Sequence, residues 1–170
     1  DDSVLVVLLV TDEDDCSVED PAFFEDGPES PYAATPEGLR CQRHPEALHR
    51  PSRYVGGLRA LRPGAPERLV FAALAGVPRA VDGAAYDVVL DAPRMQYRSE
   101  DGRPLPACEV SASDLALPGR RIVRVARALE REGSPSAVRS ICQTSFGTPL
   151  RELLERSIAP ALEATRRCAP

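Results

Sequence analysis

VLVVLLVTDEDDC, residues 4–16, decides the fold class of this chain. Seven apolar residues, Val4 to Val10, run without alternation into Thr11 and then four acids, Asp12, Glu13, Asp14 and Asp15. An unbroken apolar run of this length reads as a strand covered on both faces in a parallel sheet. In open α/β sheets, ligands sit beyond the carboxyl ends of the strands. The acids fall at that edge, where a hard cation would find oxygen ligands. Asp12 is the leading candidate ligand, with Thr11 adjacent. Asp14 and Asp15 are weaker candidates, as the start of a Ca²⁺ loop of DxD spacing that lacks its glycine and terminal glutamate.

Working outward, Pro51-Ser52 opens a helix with Ser52 as its cap and Tyr54, Val55, Leu58 and Leu61 as one apolar stripe. RLVFAALAGV, residues 68–77, is a second buried strand. Residues 119–132 form an amphipathic helix, with Ile122, Val125, Ala126 and Leu129 inward and the arginines of 120–131 on a solvated face. Ala137 to Cys142 is a short third strand. Thr148-Pro149 starts a last helix, with Leu150, Leu153, Leu154, Ile158 and Leu162 as its stripe. Two Pro-rich segments, 12–50 and 78–118, interrupt this order as long loops. The alternation predicts an α/β fold, a partial doubly wound, Rossmann-like parallel sheet with flanking helices. Three strands with the first one central, and a start at Asp1 without Met, are read as a single partial domain over 1–170. An open central edge predicts marginal stability and association through that edge.

Composition removes whole classes of function. All 21 basic residues are arginine. A P-loop, a pyridoxal phosphate enzyme and a phosphoacceptor receiver domain each need a lysine that is not there. A net charge of −5 argues against nucleic acid, which needs a basic face. No apolar run approaches the roughly 20 residues of a membrane span. A GxSxG elbow is missing, so a hydrolase built on Ser145, or on His44 with His49, is the lesser enzymatic alternative. The chain is read as a non-enzyme.

The five cysteines include no CxxC pair. Flanking long loops, they read as disulfide partners in an oxidising compartment: Cys16 with Cys41, Cys108 with Cys142, and Cys168 left over. Buried free thiols are the alternative. A zinc site from Cys16, Cys41, His44 and His49 is a third reading of the same residues.

The strand ending Thr11-Asp12, the turn Leu74-Ala75-Gly76-Val77, the helix from Ile122 to Ala126 and the closing strand and helix resemble the C-terminal half of a von Willebrand factor type A domain. In that family a strand ends in a TDG motif whose aspartate helps bind a divalent cation at a metal-ion-dependent adhesion site. The resemblance covers most strands and helices but neither long loop. It implies that Asp12 is one ligand of a Mg²⁺ or Mn²⁺ site completed by an acidic residue of a protein partner. Glu13 stands where the family has glycine, and the family's DxSxS motif, which belongs upstream, does not occur, so the site is incomplete in this chain. The resemblance further implies a bacterial surface, periplasmic or outer-membrane lipoprotein setting, as in proline-rich, cysteine-bearing relatives of high-GC bacteria such as myxobacteria. A metal-free, disulfide-bonded interaction scaffold is the alternative to the adhesion site.

Overall fold

A computed structural model describes residues 3–25 and 27–167 of the chain. The elements in order are β1 (Leu5–Val10), α1 (Glu37–Arg43), α2 (Pro51–Arg59), β2 (Leu69–Ala75), α3 (Tyr86–Asp91), two short hairpins, α4 (Arg120–Arg131), β7 (Ser136–Ser140), α5 (Gly147–Leu153) and α6 (Ala159–Arg167). The hairpins pair β3 (Ser99–Glu100) with β4 (Arg103–Pro104), and β5 (Cys108–Glu109) with β6 (Leu115–Ala116). The fold is α/β, and its main sheet is parallel with strand order β1-β2-β7.

Every residue of β2 is buried, because helices cover both of its faces. Phe71, Ala73 and Ala75 face a large core with Ile122, Val125, Ala126 and Leu129 of α4, Val55 of α2 and Val89 and Leu90 of α3. Ala72 and Leu74 face a smaller one with Ala137 and Leu153. Both crossover helices, α2 and α4, therefore lie on one face, as crossovers of one hand require when the strand order advances in one direction. At the carboxyl end of β2, Gly76 N–H and C=O run against the entry to α4: Gly119 N–H donates to the Gly76 carbonyl at 3.0 Å. A Cβ at Gly76 would overlap the backbone carbonyl of Leu117, so only glycine fits.

The central, doubly covered position expected for β1 is taken by β2; β1 is the edge. Val6, Leu8, Leu9 and Val10 are 38, 50, 37 and 56% exposed. An apolar run shows that a strand can be buried, not whether the molecule supplies a cover. Among the described residues, α5 packs on β2 and β7 and leaves that face of β1 open.

Three helix readings change as well. Pro51 occupies the first position of α2 behind Arg50, and Ser52 makes no cap bond, because proline there is already set to a helical φ. The last helix starts at Gly147 and is broken by a π turn over Leu154–Ile158. Pro160 has no N–H for the carbonyl four residues earlier and crowds it, so the chain widens before it. The buried face is Leu153, Ser157 and Ala161, at ordinary four-residue steps; of the expected leucine stripe only Leu153 is fully buried, and Leu150, Leu154 and Leu162 are exposed. The arginines opening α4 are not on a solvated face: Arg121 is 7% exposed and Arg120 is half-buried.

Neither long insert is loose. The first holds its own small core, Phe23, Ala47 and Leu48 against Val18, Tyr32 and the Cys16–Cys41 disulfide. Buried Arg40 ties it together, donating to the carbonyls of Phe23 at 2.9 Å and Thr35 at 3.3 Å. The second contains α3, both hairpins and the Cys108–Cys142 disulfide, which joins β5 to the residues after β7. These are the two pairs expected from the sequence; Cys168 lies outside the described residues. Among those residues no helix is long and apolar enough to cross a membrane.

Candidate functional site

The carboxyl edge of the sheet collects the segments that follow β1, β2 and β7. Thr11 N–H extends the ladder to the Leu74 carbonyl at 3.0 Å. The Thr11 hydroxyl then closes a tight turn, accepting from Glu13 N–H at 3.1 Å and donating to the Glu13 carbonyl at 3.2 Å. Asp12 sits at the turn's crest. Its carbonyl accepts Leu117 N–H at 2.7 Å, and its exposed side chain borders a cleft of about 540 Å³ shared with Ser113, Asp114, Gln143 and Phe146.

Asp14 turns the other way, into the protein, and caps α4. Its two oxygens accept Arg121 N–H at 3.0 Å each, Oδ1 also accepts Asp15 N–H at 3.0 Å, and Oδ2 takes the Tyr97 hydroxyl at 2.5 Å. Four orphan amides open every helix, and a carboxylate there answers both the amides and the dipole. Burial raises the Asp14 carboxyl above its ordinary range, outweighing the hydrogen bonds that favour the anion. Burial, and then the Asp14 charge, also raise the Tyr97 hydroxyl. A raised folded-state value means that the folded protein holds this proton to higher pH than the unfolded chain. Asp14 therefore favours folding most below its unfolded value near 3.8 and loses that contribution as pH rises through the folded value. The Asp14→Asn variant keeps a cap and drops the titration, so its stability relative to wild type is expected to improve steadily above about pH 4. Urea midpoints of the two proteins from pH 3 to 8 measure it; parallel profiles would contradict this role.

Asp15 makes the other inward anchor. Its Oδ2 accepts Arg121 Nε and a terminal guanidinium nitrogen, both at 2.9 Å, while Oδ1 takes the Ser17 hydroxyl at 2.6 Å. Arg121 also donates to the His49 carbonyl, fastening the first insert to α4. Beside it, Arg120 donates to the carbonyls of Leu90 at 2.9 Å and Met95 at 3.0 Å and lies over the Tyr97 ring. On the far side, the Ser140 hydroxyl donates to the Val77 carbonyl at 2.6 Å, and Asp82 accepts Ser140 N–H at 3.0 Å and the Gln143 amide at 3.1 Å. The segments after β2 and β7 are thus held to each other.

Of the four acids, the structure leaves only Asp12 and Glu13 facing outward. Asp14 and Asp15 have their oxygens committed to protein donors. Among the described residues no three His, Cys, Asp or Glu side chains converge as a metal-binding group. A single carboxylate does not strip Mg²⁺ or Mn²⁺ of its water, so the donor set present does not fit the cation implied by the adhesion-site resemblance. The zinc constellation is dispersed: the thiols of Cys16 and Cys41 are joined, His44 meets Thr35 at 2.9 Å and Glu46 at 3.1 Å, and His49 meets Glu19 at 3.0 Å. Ser145 accepts Gly147 N–H at 3.4 Å.

Arg121, Tyr97, Ser140 and Asp82 escaped the reading of the sequence. One signal was available for the first. Arg120 and Arg121 stand at the positive end of a helix dipole, where a cation is unfavourable unless an anion compensates it. A second cleft, about 500 Å³, opens between the first insert and β4, lined by Glu13, Phe24, Glu37, Arg40, Tyr97 and Pro104. Phe24 is 59% exposed there. Compared with protein families, with characterised proteins and with solved structures, the chain matches none.

Proposed function

We propose that this is a protein-binding domain of an oxidising, extracytoplasmic compartment, and that it binds through the carboxyl edge of its sheet without catalysis. The observation that carries this reading is the cross-bracing of that edge. Two disulfides and the buried Asp14, Asp15 and Arg121 contacts fix otherwise long segments into a preorganised surface, which lowers the ordering cost of binding. Exposed Phe24 supplies an apolar anchor beside Glu13 and Glu37, and Asp12 and Asp114 line the neighbouring cleft. Aromatic anchors dominate interface energetics, and the acids select a partner with basic side chains. Panning a peptide-display library on the chain tests this. Ligands are expected to be basic and to lose at least tenfold in affinity on Phe24→Ala or Asp12→Arg, with Arg62→Ala at the opposite edge as control. Ligands indifferent to both edge substitutions would overturn it.

The second reading is the cation-dependent adhesion site of a von Willebrand factor A-like domain, favoured by the exposed Asp12 carboxylate at the end of β1. It requires further ligands from outside the described residues. Calorimetric titration with Mg²⁺ and Mn²⁺ separates the two. No saturable site in this chain is expected at micromolar metal; a micromolar site abolished by Asp12→Ala would replace the first reading with the second.

A further inference from the structure

We infer that the hollow between α2 and α4 binds one small aliphatic carboxylate, with its chain inside and its carboxylate at Arg53. The hollow measures about 440 Å³, within the range of small-molecule sites, roughly 300–1,000 Å³. Leu9, Tyr54, Leu58 and the buried Phe71, Ile122 and Val125 line it. Leu9 pairs in register with Ala73, whose side chain faces the large core. The hollow therefore lies on the sheet face that α2 and α4 cover, away from the open face of Val6, Leu8 and Val10.

The sequence leaves this space unfilled at a position that could fill it. Gly57 lies inside α2, one turn from Arg53 and Tyr54 on the same helix face, and lines the hollow. A Cβ built on it would meet no atom within 4 Å. Glycine inside a helix costs about 1 kcal/mol against alanine, and a larger apolar side chain here would also gain by burial. Both gains are forgone, and the cradle stays open.

Polarity is confined to one end. α2 and α4 both begin at the carboxyl edge of the sheet, so Asp15, Arg53 and Arg121 stand there, and Gly57, Leu58 and Val125 lie a turn further in. Charge at that end selects an anion. Asp15 is matched to Arg121 at 2.9 Å, and Glu19 meets His49 Nδ1 at 3.0 Å. The Arg53 guanidinium lies against the same ring, a terminal nitrogen 2.9 Å from Nδ1 and 2.8 Å from Nε2. A ring nitrogen that accepts from a guanidinium is unprotonated, so Arg53 rests on a neutral acceptor. Among the described residues no carboxylate forms an ion pair with it. A ligand carboxylate supplies that partner, and charge-assisted bonds to arginine are the stronger kind. An apolar chain ending in one carboxylate thus suits both ends of the hollow, whereas a neutral or cationic amphiphile suits only the inner one. This site is separate from the acidic clefts of the proposed binding edge, and its test makes no reference to a protein partner.

Calorimetric titration of the whole chain with decanoate tests the inference. One site per chain is expected, about tenfold tighter for decanoate than for octanoate, the gain from two more buried methylenes. Gly57→Leu fills the hollow; it is expected to weaken decanoate at least 30-fold while raising the melting temperature. Arg53→Ala, at an exposed position, is expected to weaken decanoate about tenfold and to leave decanol unchanged. Leu8→Lys, on the open face of β1, leaves binding as in the wild type. The absence of a saturable decanoate site below about 1 mM overturns the inference. So does binding that Gly57→Leu leaves intact, and so does binding that Leu8→Lys weakens as much, which would put the chain on the open sheet face. Equal losses for decanoate and decanol in Arg53→Ala overturn the place of the carboxylate.

Discussion

Reduction of both disulfides is expected to unfold the chain at room temperature. The Cys16–Cys41 and Cys108–Cys142 links span 25 and 34 residues. In the chain-entropy account, loops of these lengths contribute about 3.5 and about 3.8 kcal/mol. Their sum, about 7 kcal/mol, is comparable with the whole stability of an ordinary domain, about 5–15 kcal/mol. The loss falls where little else compensates. Among its described residues the first insert encloses only Phe23, Leu39, Ala47 and Leu48 as buried apolar side chains, too small a core to hold itself. The second link is the covalent tie between β5 and the segment after β7, beside the Ser140 hydroxyl that meets Val77. Guanidinium titrations with and without reductant, and on the Cys16→Ala/Cys41→Ala and Cys108→Ala/Cys142→Ala pairs, measure each contribution. A reduced chain that still melts cooperatively within 2 kcal/mol of the oxidised one would show that the entropy account does not describe this molecule.

Asp15→Ala is expected to cost about 3 kcal/mol. Removing one partner of a buried ion pair leaves the other charge without compensation, which typically costs about 3–5 kcal/mol. The low end applies, because the Asp15 side chain keeps 25% of its surface in water while that of Arg121 keeps 9%. Without Asp15, Arg121 would still have the His49 carbonyl but would lose the carboxylate that its guanidinium now meets. Adding Arg121→Met to Asp15→Ala should recover much of the loss, since an apolar side chain then fills the site without a stranded charge. Urea denaturation of the two single variants and the double variant closes the cycle. A coupling below about 0.5 kcal/mol would mean that the two residues act separately, and would remove the main non-covalent brace of the proposed binding edge.

What could be read beforehand was what short-range chemistry controls. The apolar runs at 4–10 and 68–77, the amphipathic pattern of 119–132 and the cysteines flanking the inserts announced strands, helix and disulfides, because each depends on neighbours within one element or one loop. What could not be read depended on distant partners. Asp14 and Asp15 are indistinguishable from Asp12 along the chain, yet Tyr97 lies 83 residues from Asp14 and Arg121 lies 106 from Asp15. Those two partners convert candidate ligands into structural anchors. In the last helix Leu150 and Leu154 are exposed while Leu153, Ser157 and Ala161 are buried, because the side that meets the sheet is set by packing on Ala72, Leu74 and Ala137 and not by the apolar stripe.

By itself the sequence determined the α/β alternation, the lysine-free chemistry and the cysteine spacing that makes two loop-closing disulfides possible. Only the tertiary structure decided which strand is covered and which acids face outward. Apolarity records what a segment can bury, and a carboxylate records what it can bind. Which neighbour arrives to do either is set by packing between elements far apart in the chain.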